Sequence, residues 1–308
     1  MAARGLPHGP RLVRARPEAA NVTNKAAASS PSTNAAQADY WNRAGAQRLI
    51  DNEDILDQLL RPISSSFMAA AGAQAGERVI CRLRLRRYDD RLRLPGGSEW
   101  SGLGVDISAP LLQRPRFRAT AGLPLRFMLG DAATRELMLG WADLVVSSLG
   151  VMFFANPGRA FANLRRGLRP GGRLAFACWH AVKLNPWMIA PLCEASEHTP
   201  HLPEAGPEDP GPFSFANEKR VRRVLREAGY DDIALKARQF DFDIAPGRGL
   251  DTAVVTALAS GPTSGILDGQ SEAVRAAAAA DIRAALAPRA RRKCAARGRH
   301  LDRHRGQS

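Results

Sequence analysis

Three residues of this chain stand where a folded protein holds ligands: Asp106, Asp131 and Ser147. Each closes a short apolar run, namely Gly104-Val105-Asp106-Ile107-Ser108, Leu125-Arg126-Phe127-Met128-Leu129-Gly130-Asp131-Ala132 and Ala142-Asp143-Leu144-Val145-Val146-Ser147. Runs of this kind suit strands buried on both faces. A carboxylate at the carboxyl tip of such a strand can accept both hydroxyls of a ribose. Asp106 taken alone reads equally well as a helix N-cap. A second acid at the matching height and a serine after the fourth run turn isolated residues into a patterned rim. His180 is the one candidate general base, although a histidine at a strand end is more often structural. Cys81, Cys178, Cys193 and Cys294 show neither paired metal spacing nor a disulfide framework, so no metal is expected and a reducing cytoplasm is the default.

The elements that must position these residues are clearest from Trp141 to Trp179. The strand ending at Ser147 is followed by Phe161, Leu164 and Leu168 at helical spacing, with Arg165, Arg166 and Arg169 pointing elsewhere. Pro170-Gly171-Gly172 stops that helix, and Arg173 to Trp179 is a second buried strand. The result is a right-handed βαβ unit, and the expected fold is α/β: a Rossmann-like, doubly wound, mostly parallel sheet with helices on both faces. Val79-Ile80, Leu103 to Asp106, Leu125 to Leu129, Leu144 to Ser147 and Leu174 to Cys178 are its expected parallel strands. Helices are expected upstream around Leu49 to Leu60, and later over Glu218 to Ala228 with Asn217 as cap, Asp251 to Leu258 and Ser271 to Leu286. A strand runs through Ile233, Leu235 and Phe240. His180 to Met188 is aromatic and polar, and Trp and Met at helical spacing more often fill cores.

The net charge of +14 invites a nucleic-acid reading, but it is concentrated in two places. Cys81 to Arg93 holds six arginines against two aspartates, and Arg289 to Ser308 holds seven arginines and a lysine against one aspartate. A shared basic face would require both stretches to fold together, so no specific nucleic acid is expected. No apolar run reaches the roughly 18–20 residues of a membrane span. Residues 1–37 carry four arginines and an Ala/Asn/Ser/Pro run without apolar period, expected to be disordered. They read as an added tail or an early start; a faint likeness to a transit peptide lacks a secretory core. The ordered domain is expected over 38–288, with 81–103 aberrant and 289–308 a basic disordered tail.

The aberration lies at the first strand. A doubly wound sheet continues its first strand into a glycine-rich turn. Here Cys81 to Leu94 alternates arginine with leucine, and no glycine appears before Gly96. Arginine and leucine codons read one nucleotide later permit V-G-C-G-C-G-A-T-T-T, so Cys81 to about Leu103 reads as translated out of frame. From Arg299 the same shift permits A-I-W-I-V-T, a buried strand.

GVDIS, LGDAAT (Leu129 to Thr134), ADLVVSSLGVMFF (Ala142 to Phe154) and LRPGGRLAFACW (Leu168 to Trp179) together resemble a class I S-adenosylmethionine-dependent methyltransferase. The small-molecule group related to the ubiquinone and menaquinone C-methyltransferases is the most similar. The resemblance spans roughly residues 38 to 288. It implies S-adenosylmethionine as cofactor, Asp106 with Ile107 at the ribose, Asp131 with Ala132 at the adenine, and Ser147 beside the methionine part. Nothing in the chain matches the family's D-x-G-x-G-x-G turn, and the closing antiparallel strand is expected to be lost with the second frame change.

Methyl transfer to a small-molecule acceptor is therefore the expected function, with acceptor and oligomeric state open. A nucleotide-dependent dehydrogenase lacks the second strand-tip acid. A cofactor-dead relative requires only that the chain be real as written, and a basic nucleic-acid-binding protein is the further alternative.

Overall fold

The computed structural model describes residues 13–15, 32–82, 101–118, 125–200, 206, 208–245, 248–290 and 295–302. Most of the arginine–leucine run, His201 and Cys294 lie outside the described residues. In chain order the elements are β1 (Val13–Ala15), α1 (Ser32–Asn42), α2 (Ala44–Asp51), α3 (Glu53–Ala71), β2 (Arg78–Arg82), β3 (Ser101–Asp106), α4 (Ala109–Arg118), β4 (Leu125–Leu129), β5 (Ala142–Ser148), α5 (Pro157–Gly167) and β6 (Leu168–Trp179). There follow α6 (Pro186–Ser196), α7 (Glu218–Glu227), β7 (Tyr230–Asp231), β8 (Lys236–Asp243), α8 (Gly249–Ala259), α9 (Gly261–Ile266), α10 (Glu272–Ala290) and β9 (Ala295–Asp302).

The five expected strands form, and they are parallel to one another in the order β4-β3-β2-β5-β6. Their apolar runs are buried on both sides because helices cover both faces: Val79, Ile80, Leu144, Val145, Leu174 and Phe176 are each at most 2% exposed. Phe161, on α5, sits at the centre of the core. Its ring meets those of Phe154, Phe176, Phe215 and Tyr230 at 5.3–6.4 Å between centroids, edge-on or tilted as ring quadrupoles favour. At the opposite end of the sheet from the strand tips, Arg173 donates to Glu77 and to the Gly72 carbonyl at 2.8 Å, fixing where β2 begins.

Helix limits differ from the sequence reading in instructive ways. Asn156 caps α5 by accepting from the Arg159 N–H at 2.9 Å, with Pro157 at the first position, so the helix starts a turn before Phe161. It ends at Gly167, and the left-handed Gly171 (φ 74°) lies in the bulged start of β6 rather than at a helix cap. Asn217 caps α7 as expected, accepting from Lys219 and Arg220. The strand expected through Ile233, Leu235 and Phe240 begins only at Lys236, and a separate two-residue strand, Tyr230–Asp231, precedes it. Asp232, in the left-handed region at φ 50°, separates them, a conformation aspartate tolerates better than most residues.

Two stretches expected to lack regular structure contain strands. Val13–Ala15 pairs antiparallel with β6 at Arg173 and Leu174 and with β7 on its other side. Ala295–Asp302 pairs antiparallel with β8 along eight residues and meets β6 at Cys178 and Trp179. The closing antiparallel strand, expected to be lost, is thus supplied by the residues as they stand. The reason is physical: an open strand edge presents unpaired N–H and C=O groups that recruit any extended backbone, whatever its side chains. α1 likewise begins at Ser32, and α10 runs to Ala290.

Candidate functional site

β2 and β5 lie side by side, and the chain leaves β2 toward β3 on one side and β5 toward β6 on the other. Ligands of open α/β sheets bind outside the carboxyl ends of the strands at this switch point.

Asp106 ends β3 and is 5% exposed. Its Oδ1 accepts the Ser108 N–H at 2.9 Å, and its carbonyl accepts the Gly130 N–H at 2.8 Å, which ties the tip of β3 to that of β4. The capping of α4 falls to Ser108, whose Oγ accepts from the Leu111 N–H at 3.3 Å. Asp106 is therefore oriented by its own turn and is not the helix cap. Asp131 is held in the same manner, its Oδ1 accepting the Ala133 N–H at 2.9 Å and its carbonyl the Thr134 and Arg135 N–H groups at 3.1 and 2.8 Å.

Asp106, Ile107, Asp131 and Ala132 line one cleft, with Trp41 and Phe153 opposite them. Those two rings meet edge-on at 5.1 Å. The space between is narrow, about 10 Å3.

Ser147, at the tip of β5, is 1% exposed, and neither its Oγ nor that of Ser148 has a hydrogen-bond partner among the described residues. A buried hydroxyl without a partner costs about 1–3 kcal/mol. Leu149 follows at φ 55°, held by its N–H to the Ala177 carbonyl at 2.9 Å. A bulky side chain in that left-handed region stores on the order of 1–3 kcal/mol, and such residues cluster at binding sites.

Beyond Ser148 a larger cavity of about 290 Å3 opens between α1–α3 and the α6/α9 side. Trp41 and Phe153 border it as well as the cleft. Its other aromatic wall is Trp179 and Trp187, edge-on at 5.6 Å, with Met188 beside them. Trp187 and Met188 are 8% and 3% exposed; they fill core and line a ligand space at once. Arg48 reaches the rim but is engaged, its Nη2 3.2 Å from Asp268 Oδ1 and its Nη1 donating to the Tyr40 hydroxyl at 3.3 Å.

His180 is not among the described residues of either space, and its Nδ1 accepts the Ala181 N–H at 2.6 Å. Among the described residues no group of His, Cys, Asp and Glu could hold a metal, and no helix is long and apolar enough to cross a membrane. Sequence reasoning missed Trp41, Phe153 and Asn42. The signal available was the aromatic-polar cluster Tyr40-Trp41-Asn42 at the start of the ordered domain.

The fold is a doubly wound domain that brings two strand-tip acids into one cleft. Residues 92–176 match the methyltransferase domain family, a stretch holding Asp106, Asp131 and Ser147 but starting beyond β2. A Mycobacterium tuberculosis protein described as uncharacterised is 30% identical over 171 residues, 55% of this chain and 59% of that protein. The malonyl-[acyl-carrier protein] O-methyltransferase of Methylococcus capsulatus is 28% identical over 136 residues, 44% of this chain and 45% of the enzyme. The chain thus spans less than two thirds of these relatives. A solved structure of a proposed methyltransferase from an antibiotic biosynthesis pathway of Anabaena variabilis superposes with a TM-score of 0.55 at 13% identity, covering 80% of this chain and 98% of that one. Residues 92–176 are thus similar to a methyltransferase domain, and the fold agrees with that likeness.

Proposed function

We propose that the protein transfers a methyl group from S-adenosylmethionine to a small-molecule acceptor seated in the cavity beside Ser148. The observation that carries this reading is the convergence of Asp106 and Asp131 in one cleft that shares the Trp41–Phe153 wall with the cavity.

The described residues fit the adenosine half of the cofactor. A buried carboxylate at the tip of β3 suits two ribose hydroxyls, Asp131 with Ala132 suits the adenine edge, and the orphaned Ser147 and Ser148 hydroxyls lie on the way to the cavity. When bound, the cofactor would supply a sulfonium-activated methyl that the acceptor's nucleophilic atom takes, with S-adenosylhomocysteine as the leaving group. Asp106 and Asp131 would bind and orient the nucleoside, and the Trp41–Phe153 pair would exclude water from the junction. Alignment and desolvation suffice for such a reaction, so no protein general base is required. The reading places the protein in the cytoplasm.

A second reading, a relative that no longer binds the cofactor, is favoured by one observation: the family match begins beyond β2, and Cys81 to Pro95 holds no glycine. Calorimetric titration of the full chain with S-adenosylhomocysteine separates the two. Saturable binding that Asp106→Asn weakens supports methyl transfer; no binding at millimolar ligand leaves the cofactor-free reading.

A further inference from the structure

We infer that the acceptor is a ring-bearing, predominantly apolar small molecule without negative charge and with a single polar group set against Ser260; the inference rests on the methyl-transfer reading, which makes this cavity the acceptor site. Size and wall chemistry agree. The cavity of about 290 Å3 is at the lower end of the ~300–1,000 Å3 typical of small-ligand pockets. Trp41, Phe153, Trp179 and Trp187 line it with ring faces and edges, surfaces that complement another ring better than a flexible polar chain.

Charge sets the second limit. The ionisable side chains among the described lining residues are Arg48, Glu53, Asp57 and the Tyr40 phenol. Arg48 is committed to Asp268 and Tyr40. A carboxylate or phosphate on the ligand would meet two acids and an arginine already engaged, and burying such a charge without a partner is costly. An uncharged ligand pays no such penalty.

Ser260 supplies the polar contact. It borders the cavity at 7% exposure, and its Oγ has no hydrogen-bond partner among the described residues. It precedes α9, and its side chain makes no capping bond there. A ligand hydroxyl or amine would satisfy it. Ser260→Ala removes that group without taking a bond from the protein.

The test is equilibrium dialysis of the full chain with 2-naphthol and 2-naphthoate, which share a ring system and differ in charge at neutral pH. The expected result is saturable binding of 2-naphthol, at least about 10-fold weaker binding of 2-naphthoate, and a several-fold loss of 2-naphthol affinity in Ser260→Ala. A bulky Gly265→Trp, at a lining position where an added Cβ meets nothing within 4 Å, should weaken 2-naphthol while the protein stays folded by circular dichroism. Equal or tighter binding of 2-naphthoate, no binding of 2-naphthol, or unchanged affinity in both variants would overturn the inference. S-adenosylhomocysteine titration of the same preparation keeps the two readings apart. Naphthol binding without it removes methyl transfer but leaves the cavity's selectivity; S-adenosylhomocysteine binding without naphthol binding removes only the acceptor class.

Discussion

Asn42 and Ile107, 65 residues apart, are joined at the turn that follows Asp106: Asn42 Nδ2 donates to the Ile107 carbonyl at 3.0 Å. The same side chain accepts the Ala109 N–H through Oδ1 at 2.9 Å. One amide thus clamps both sides of the turn after Asp106 and fastens α1 over it. Asn42→Ala should lower S-adenosylhomocysteine affinity several-fold, since two partly exposed hydrogen bonds are worth roughly 0.5–1.5 kcal/mol each. Calorimetry reads the affinity, and a melting point lowered by only a few degrees would show that the fold persists. Unchanged affinity would mean that the turn holds itself.

Asp106 allows a sharper separation of roles. Asp106→Asn keeps an oxygen to accept the Ser108 N–H but loses the charge; Asp106→Ala loses both. Charge-assisted bonds to two ribose hydroxyls are worth about 1.5–3 kcal/mol each. Asn should therefore weaken S-adenosylhomocysteine by roughly 10-fold with little change in melting, and Ala should weaken it further and lower the melting point. Equal affinities across wild type, Asn and Ala would remove Asp106 from the ribose.

The alkaline limit of stability should depend on Tyr230. Its phenol is fully buried and donates to the Phe161 carbonyl at 3.1 Å, and burial pushes its pKa well above the ordinary tyrosine value, slightly opposed by Arg165. The folded state thus keeps a proton that the unfolded chain releases above about pH 10. The stabilisation is complete below that pH and falls as pH rises beyond it, because the unfolded state binds fewer protons. Tyr230→Phe should cost about 1 kcal/mol at neutral pH and should flatten the decline in melting temperature above pH 10. Parallel alkaline profiles for the two proteins would contradict this.

The five parallel strands were legible because each is a short apolar run and both its faces are buried, so local pattern and tertiary role coincide. The strand-tip acids were legible for the same reason: a strand end fixes the height of the next residue. Trp41 and Asn42 were not, because their partners Phe153 and Ile107 are distant in sequence and nothing local encodes the meeting. β1 and β9 were not legible either. Their placement follows from the open edge of β6, a property of another strand, while their own arginines and alanines carry no β pattern.

The out-of-frame reading of Cys81 to Leu103 makes its own prediction. Backbone register sets Arg82, the last residue of β2, beside Ser147. A version carrying V-G-C-G-C-G-A-T-T-T in place of Cys81 to Asp90 should bind S-adenosylhomocysteine at least about 10-fold more tightly, because glycine lets backbone approach a ligand that a side chain would displace. Resequencing across the codons for Ile80 to Gly104 checks the frame directly. Equal binding by both versions would sink it. The strand at Ala295–Asp302 forms in the frame as written and needs no such repair.

The ring pair Trp41–Phe153 belongs to both the cleft and the cavity. On the proposed reading, a nucleoside that shifts these rings on entering the cleft also changes the free energy of filling the cavity. Such coupling is reciprocal: whatever factor the nucleoside imposes on acceptor affinity, the acceptor imposes on the nucleoside. One edge-to-face contact of 5.1 Å would then link the two affinities.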